Sequence, residues 1–104
     1  MAVERRKHRR IARPLDGTWR GASGTGRCRV VDISLGGCFI ATLAAPVQGE
    51  QTEIGVPFGD DLLRLSGTVV SIERGIGFSV RFDGNAPEVM ASLAALIHDL
   101  EQTA

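Results

Sequence analysis

The stretch Gly75-Ile76-Gly77-Phe78-Ser79-Val80-Arg81-Phe82 alternates large apolar residues with small or charged ones. A period of two marks a strand with one buried and one wet face. Ile76, Phe78, Val80 and Phe82 are therefore expected inside, and Gly77, Ser79 and Arg81 outside. A β-patterned run at residues 62–72 precedes it, and Glu73-Arg74-Gly75 supplies a hairpin turn with glycine where positive φ is needed. Working outward, further short runs lie near residues 18–21, 27–33, 38–42 and 52–57, separated by glycine-containing turns. Six such strands favour a small antiparallel β-barrel over an open sheet, because closure removes exposed edges.

After Asp83-Gly84 the period changes. Val89, Met90, Leu93, Leu96, Ile97 and Leu100 recur every three or four residues, which predicts an amphipathic helix to about residue 101. Asn85 is the expected N-cap, with Glu88 in the capping-box position and Pro87 in the first turn. The apolar stripe must cover either an open end of the barrel or a second protomer. The fold class is thus all-β with a C-terminal helix: a basic arm over residues 1–15, a six-stranded antiparallel barrel over 16–84 and the helix over 85–104, together one domain.

At 104 residues the chain has the size of one domain with its own core. Its formal net charge is zero, yet residues 1–29 hold nine Lys/Arg against Glu4 and Asp16, while residues 30–104 hold three against ten acids. A basic arm on an acidic body points to an anionic partner for the arm: phosphate, nucleic acid or an acidic surface. The arm, with six basic residues from Arg5 to Arg13, is expected to move freely until such a partner arrives. No apolar core of a signal peptide follows the basic start, and the longest apolar run, residues 38–47, is half of what spans a bilayer. A cytoplasmic protein without membrane insertion is expected. Cys28 and Cys38, in apolar strand-like stretches, are read as buried reduced thiols and no disulfide framework.

Two elements carry chemistry. Arg6-Lys7-His8-Arg9-Arg10 sets two arginines four apart, and Asp32-Ile33-Ser34-Leu35-Gly36-Gly37 sets an acid, a hydroxyl and two glycines at a strand-to-strand turn. In this order and on this strand pattern they resemble the RxxxR and (D/N)xSxxG signatures of the PilZ family. The resemblance extends through Pro46-Val47-Gln48-Gly49-Glu50 and residues 75–82, so that it covers roughly residues 4–83. It implies a PilZ-like barrel and, as ligand, cyclic di-GMP, a ring of two guanosines joined by two phosphates that family members bind as a monomer or an intercalated dimer.

The residues suit that ligand on their own chemistry. A guanidinium can bond guanine O6 and N7 together, grip phosphate bidentately or stack on a purine, so Arg6 and Arg10 are the expected anchors. Asp32 can accept from guanine N1–H and the exocyclic amine, which adenine cannot match. Ser34 offers a small donor and acceptor. Gly36 and Gly37 allow positive φ and close approach of the backbone to the ligand. Arg5 and Arg9 are weaker site candidates; Lys7 and Arg13 read as surface charge. Trp19 reads as a packing residue.

His8 and His98 lack ligand spacing to each other or to the cysteines, which argues against a metal site. No nucleophile elbow, P-loop or triad spacing occurs, so no enzyme is expected and no cofactor is called for. The expectation is a cyclic di-GMP sensor or adaptor whose arm closes over the barrel loop and changes the surface offered to an unidentified effector protein. Two rivals remain: a PilZ-like adaptor working by protein contacts without nucleotide, and a nucleic-acid-binding barrel. The acidic barrel region and its few aromatics weigh against the second.

Overall fold

The computed structural model describes residues 9–102. Arg5 and Arg6, with the first part of the arm, lie outside the described residues. Six strands, β1 (Leu15–Gly21), β2 (Gly24–Ile33), β3 (Gly37–Ala41), β4 (Gln51–Phe58), β5 (Asp61–Glu73) and β6 (Gly77–Phe82), precede one helix, α1 (Pro87–Gln102). The strands close into a barrel in the order β1-β2-β3-β6-β5-β4, every pair antiparallel and β4 returning to β1.

The inward residues are those the alternation selects. Val30, Ile33, Cys38, Ile40, Ile54, Val56, Leu65, Val69, Phe78 and Val80 are essentially inaccessible and form one core. Trp19 packs edge-on against Phe78, with ring centroids 5.7 Å apart at 76°, a favoured aromatic geometry. Ile76 departs from the expectation and is more than half exposed. β6 begins one residue later, and Ile76 closes the β5–β6 turn by donating its N–H to Glu73 O at 3.0 Å. Gly75 in that turn has φ +77°, as its placement predicted.

The helix covers its own barrel. Leu93, Leu96 and Leu100 are buried in the common core, and α1 packs against β5. Its start differs from the capping-box expectation. Pro87 is the first helical residue, Met90 N–H bonds Ala86 O at 3.1 Å, and Asn85 stands outside. The Asn85 amide instead pairs with the backbone of Ser66, accepting from its N–H at 2.8 Å and donating to its carbonyl at 2.9 Å. It thus satisfies the Ser66 N–H and shares the Ser66 carbonyl with the Asp83 N–H, which lies 3.1 Å from it. Among the described residues no helix is long and apolar enough to cross a membrane.

Candidate functional site

Two one-residue bulges position the site. In β2, Val30 pairs with Ile40 but Asp32 pairs with Phe39, so Val31 is extra; in β5, Val69 pairs with Val80 but Ser71 pairs with Ser79, so Val70 is extra. A bulge reverses which face later residues occupy. Asp32 and Ser71 consequently leave the barrel, while Ile33 after Asp32 enters the core. With Phe39 opposite Ser79, the residues Asp32, Phe39, Ser79 and Ser71 form one row across β2, β3, β6 and β5 on the outer wall.

This row and its neighbours line a polar cavity of about 410 Å³ made by Arg10, Asp32, Phe39, Ser71, Glu73 and Ser79. That volume lies in the range of small-molecule sites. The Ser71 and Ser79 hydroxyls bond each other. Ser79 was expected on a wet face, yet it is buried, because its face is the floor of the cavity. Arg10 Nη1 donates to Asp32 Oδ1 at 3.0 Å, an ion pair whose two side chains are each about a quarter exposed (26% and 24%). Two of the expected site residues are thereby brought together from elements 22 positions apart.

The arm is held where it meets the barrel. Ile11 is buried and exchanges both backbone hydrogen bonds with Ile33, at 2.8 and 3.1 Å. Arg13 Nη1 reaches Leu100 O at 3.5 Å, adding positive charge at the end of a helix that has no basic residue in its last turn. For residues 9–13 the expectation of an unattached arm is therefore corrected. Ile11 docks it together with the side chains of Arg10 and Arg13. Arg9 is exposed and lines a different cavity, with Arg13, Leu100 and Glu101, on the far side of Arg10.

The loop after β2 is built by its own serine. Ser34 is buried, and its Oγ accepts from the N–H groups of Gly36 at 3.1 Å and Gly37 at 3.2 Å. Its own N–H bonds Gly37 O at 2.8 Å. The glycines also serve differently from the expectation. Neither Gly36 nor Gly37 has positive φ. At Gly37 an added Cβ would stand 2.1 Å from Val80 O, so glycine is needed there for the approach of the β6 backbone. Gly36 O accepts from Phe82 N–H at 2.9 Å and ties the loop to the same strand.

Phe39, Ser71, Glu73 and Ser79 were not singled out from the sequence. The available signal was the alternation in residues 71–82, which places Ser71 and Glu73 on one face; that this face is the outer one follows only once the bulge at Val70 is known. A second cavity, of about 510 Å³ and lined by Ala45, Pro46, Ile72, Arg74 and Gly75, is largely apolar and lacks convergent polar groups. Both cysteines are free thiols, and burial pushes Cys28 up to about 11 and Cys38 further still, which makes them poor nucleophiles. Cys28 is only half-buried, less than expected. Among the described residues no three His, Cys, Asp or Glu side chains gather as a metal site would require.

A closed barrel carrying a polar cavity on its outer wall, with an arginine reaching in from a preceding arm, defines a small ligand-binding module. The PilZ domain model matches residues 4–99, and the chain belongs to that family. Among solved structures it is similar to the PilZ domain with c-di-GMP of YcgR from Escherichia coli, at 26% identity and TM-score 0.78, covering 96% of this chain and 94% of that one. It also resembles YcgR in complex with c-di-GMP from Escherichia coli, at 30% identity and TM-score 0.76 over 97% of this chain but 48% of the other. The K. pneumonia MrkH–c-di-GMP complex shares the fold at 13% identity and TM-score 0.81, over 97% of this chain and 54% of that one. The chain thus spans about half the length of these two larger proteins. No curated protein sequence matches it.

Proposed function

We propose that this chain is a cyclic di-GMP receptor that acts by changing the surface it offers to an effector protein. The observation that carries the reading is the Arg10–Asp32 pair on the wall of the polar cavity, in a family member whose relative, the YcgR PilZ domain, was solved with c-di-GMP. Arg10 presents a planar fork suited to guanine O6 and N7 or to a phosphate. Asp32 fixes that fork through Oδ1. Arg6, four residues before Arg10, supplies a second cation to the phosphates, with Arg5 and Arg9 adding attraction. Ser34, Gly36 and Gly37 hold Asp32 at the required height.

Closure in this reading concerns the residues before Ile11, since Ile11 and Arg13 are docked already. Ligand charge drawn to Arg6 and Arg10 bends the arm over the cavity about that fixed point, and the altered arm is what the effector meets. The role is that of a receptor, with no catalytic step.

Calorimetric titration with cyclic di-GMP, against cyclic di-AMP and GTP, tests the reading and gives stoichiometry. Saturable binding of cyclic di-GMP alone is expected. Arg10→Ala should weaken it by about 1.5–3 kcal/mol, the scale of a lost charge-assisted hydrogen bond, without lowering the melting temperature appreciably. No heat with cyclic di-GMP, or equal binding of all three ligands, would refute it.

A further inference from the structure

We propose that Glu73 is a specificity-determining residue, accepting the N1–H and exocyclic amine of a guanine that enters the cavity from the opposite side to Arg10. This rests on the cyclic di-GMP reading above and assigns one role within it. Guanine presents two acceptors, O6 and N7, on one edge and two donors on the neighbouring edge. If Arg10 takes the acceptors, the donors need an acceptor across the cavity. Asp32 was the expectation from sequence, but its Oδ1 is engaged by Arg10 and it stands on the same wall. The Ser71 and Ser79 hydroxyls are occupied with each other.

Glu73 is the other carboxylate lining this cavity. It makes no ion pair or side-chain hydrogen bond among the described residues. It lies on β5, two residues beyond Ser71 on the same face, whereas Asp32 lies on β2. Three strand spacings separate β2 from β5, about 14 Å along the curved sheet, which leaves room for a purine between two side chains. Its partner in register is Gly77, which places no side chain beside it. A carboxylate at the mouth of a site for an anionic ligand repels that ligand unless the ligand brings donors to it, and guanine brings two. Adenine would turn a lone pair at N1 towards the carboxylate and be rejected.

The test uses the full chain titrated with cyclic di-GMP and with its hypoxanthine analogue, which keeps N1–H and lacks the exocyclic amine. Glu73→Ala is expected to lose about ten- to a hundredfold in affinity for cyclic di-GMP and much less for the analogue, so that the wild-type preference narrows. Glu73→Gln, matched in shape, should lose most of the same preference. Asp32→Asn should weaken both ligands alike. Glu73 sits at the mouth of the cavity with only its backbone in the turn, so unchanged thermal unfolding of both Glu73 variants accompanies these outcomes. Wild-type affinity of Glu73→Ala for cyclic di-GMP, or an equal loss for both ligands, overturns the assignment while the receptor reading stands. Wild-type protein that does not bind cyclic di-GMP overturns the receptor reading itself.

Discussion

The two walls of the cavity are made in opposite ways. On the β2 side the charged groups satisfy each other, Arg10 to Asp32, and the backbone beneath is fixed by Ile11 against Ile33 and by Ser34 within its loop. On the β5 side Glu73 carries a charge without an ion partner among the described residues, next to a turn closed by one backbone bond from Ile76 to Glu73. The first wall is organised before any ligand arrives, and the second keeps its bonding capacity in reserve. Affinity gains from groups already in place, since their ordering cost is met in folding, whereas discrimination gains from a group that only the right ligand can satisfy.

Substitutions that separate the walls should differ most at their glycines. Gly37→Ala drives a Cβ into the carbonyl of Val80 and is expected to cost about 3 kcal/mol, read as a shift in urea midpoint. Gly75→Ala meets no atom within 4 Å and suffers only from its φ of +77°, so about 1 kcal/mol is expected. Comparable losses at the two sites would remove the contrast in rigidity.

Ile11→Ala should cost about 2 kcal/mol, at the low end for a buried isoleucine because Ile11 lies at the rim of the core. It should also free Arg10: amide hydrogen exchange at Ile11 and Ile33 is expected to accelerate together. Protected exchange in the variant would show that Arg10–Asp32 alone anchors the arm. Ser34→Ala leaves the N–H groups of Gly36 and Gly37 without their side-chain acceptor and should cost about 1–2 kcal/mol. If Ser34→Ala unfolds at the wild-type midpoint yet loses ligand, Ser34 serves the ligand and not the loop.

The smallest effect is a pH dependence away from the cavity. Glu50 accepts from Ser23 N–H at 2.9 Å, Ser23 Oγ at 2.8 Å and Val47 N–H at 3.0 Å, joining the β1–β2 turn to the β3–β4 loop. These bonds, the Ser23 N–H foremost, hold its carboxyl below the usual carboxylate range. A lowered folded-state value means the contribution is present above the unfolded value, about 4.3, and fades as pH falls through the folded one. Solvent screening keeps it small. The stability gap between wild type and Glu50→Ala should therefore be widest at neutral pH and shrink below about pH 4; a gap independent of pH would show that the bonds do not depend on ionisation.

The barrel and helix were legible because their signals are periodic and repeated: Phe78 and Val80 face inward as their spacing demands, and Leu93, Leu96 and Leu100 fall on one buried stripe. Local competition defeated the finer readings. Asn85 has the composition of an N-cap, but the backbone of Ser66 in β5 takes its amide. Gly36 and Gly37 are equally compatible with positive φ and with tight strand contact, and only the position of β6 decides. On the cavity, Asp32 could be found through a motif and Arg10 through its spacing from Arg6. Phe39, Ser71, Glu73 and Ser79 converge through cross-strand register, which no local pattern encodes.

Val31 and Val70 act on their strands as a frameshift acts on a message. Each inserts one residue and inverts every inside–outside assignment after it until the strand ends. A count by twos from Val30 therefore assigns Asp32 to the core, and only the extra residue returns it to the outer wall opposite Phe39. Deleting Val31 would leave Val30, Asp32 and Ile33 in plain alternation, with Asp32 still outside and the local kink gone.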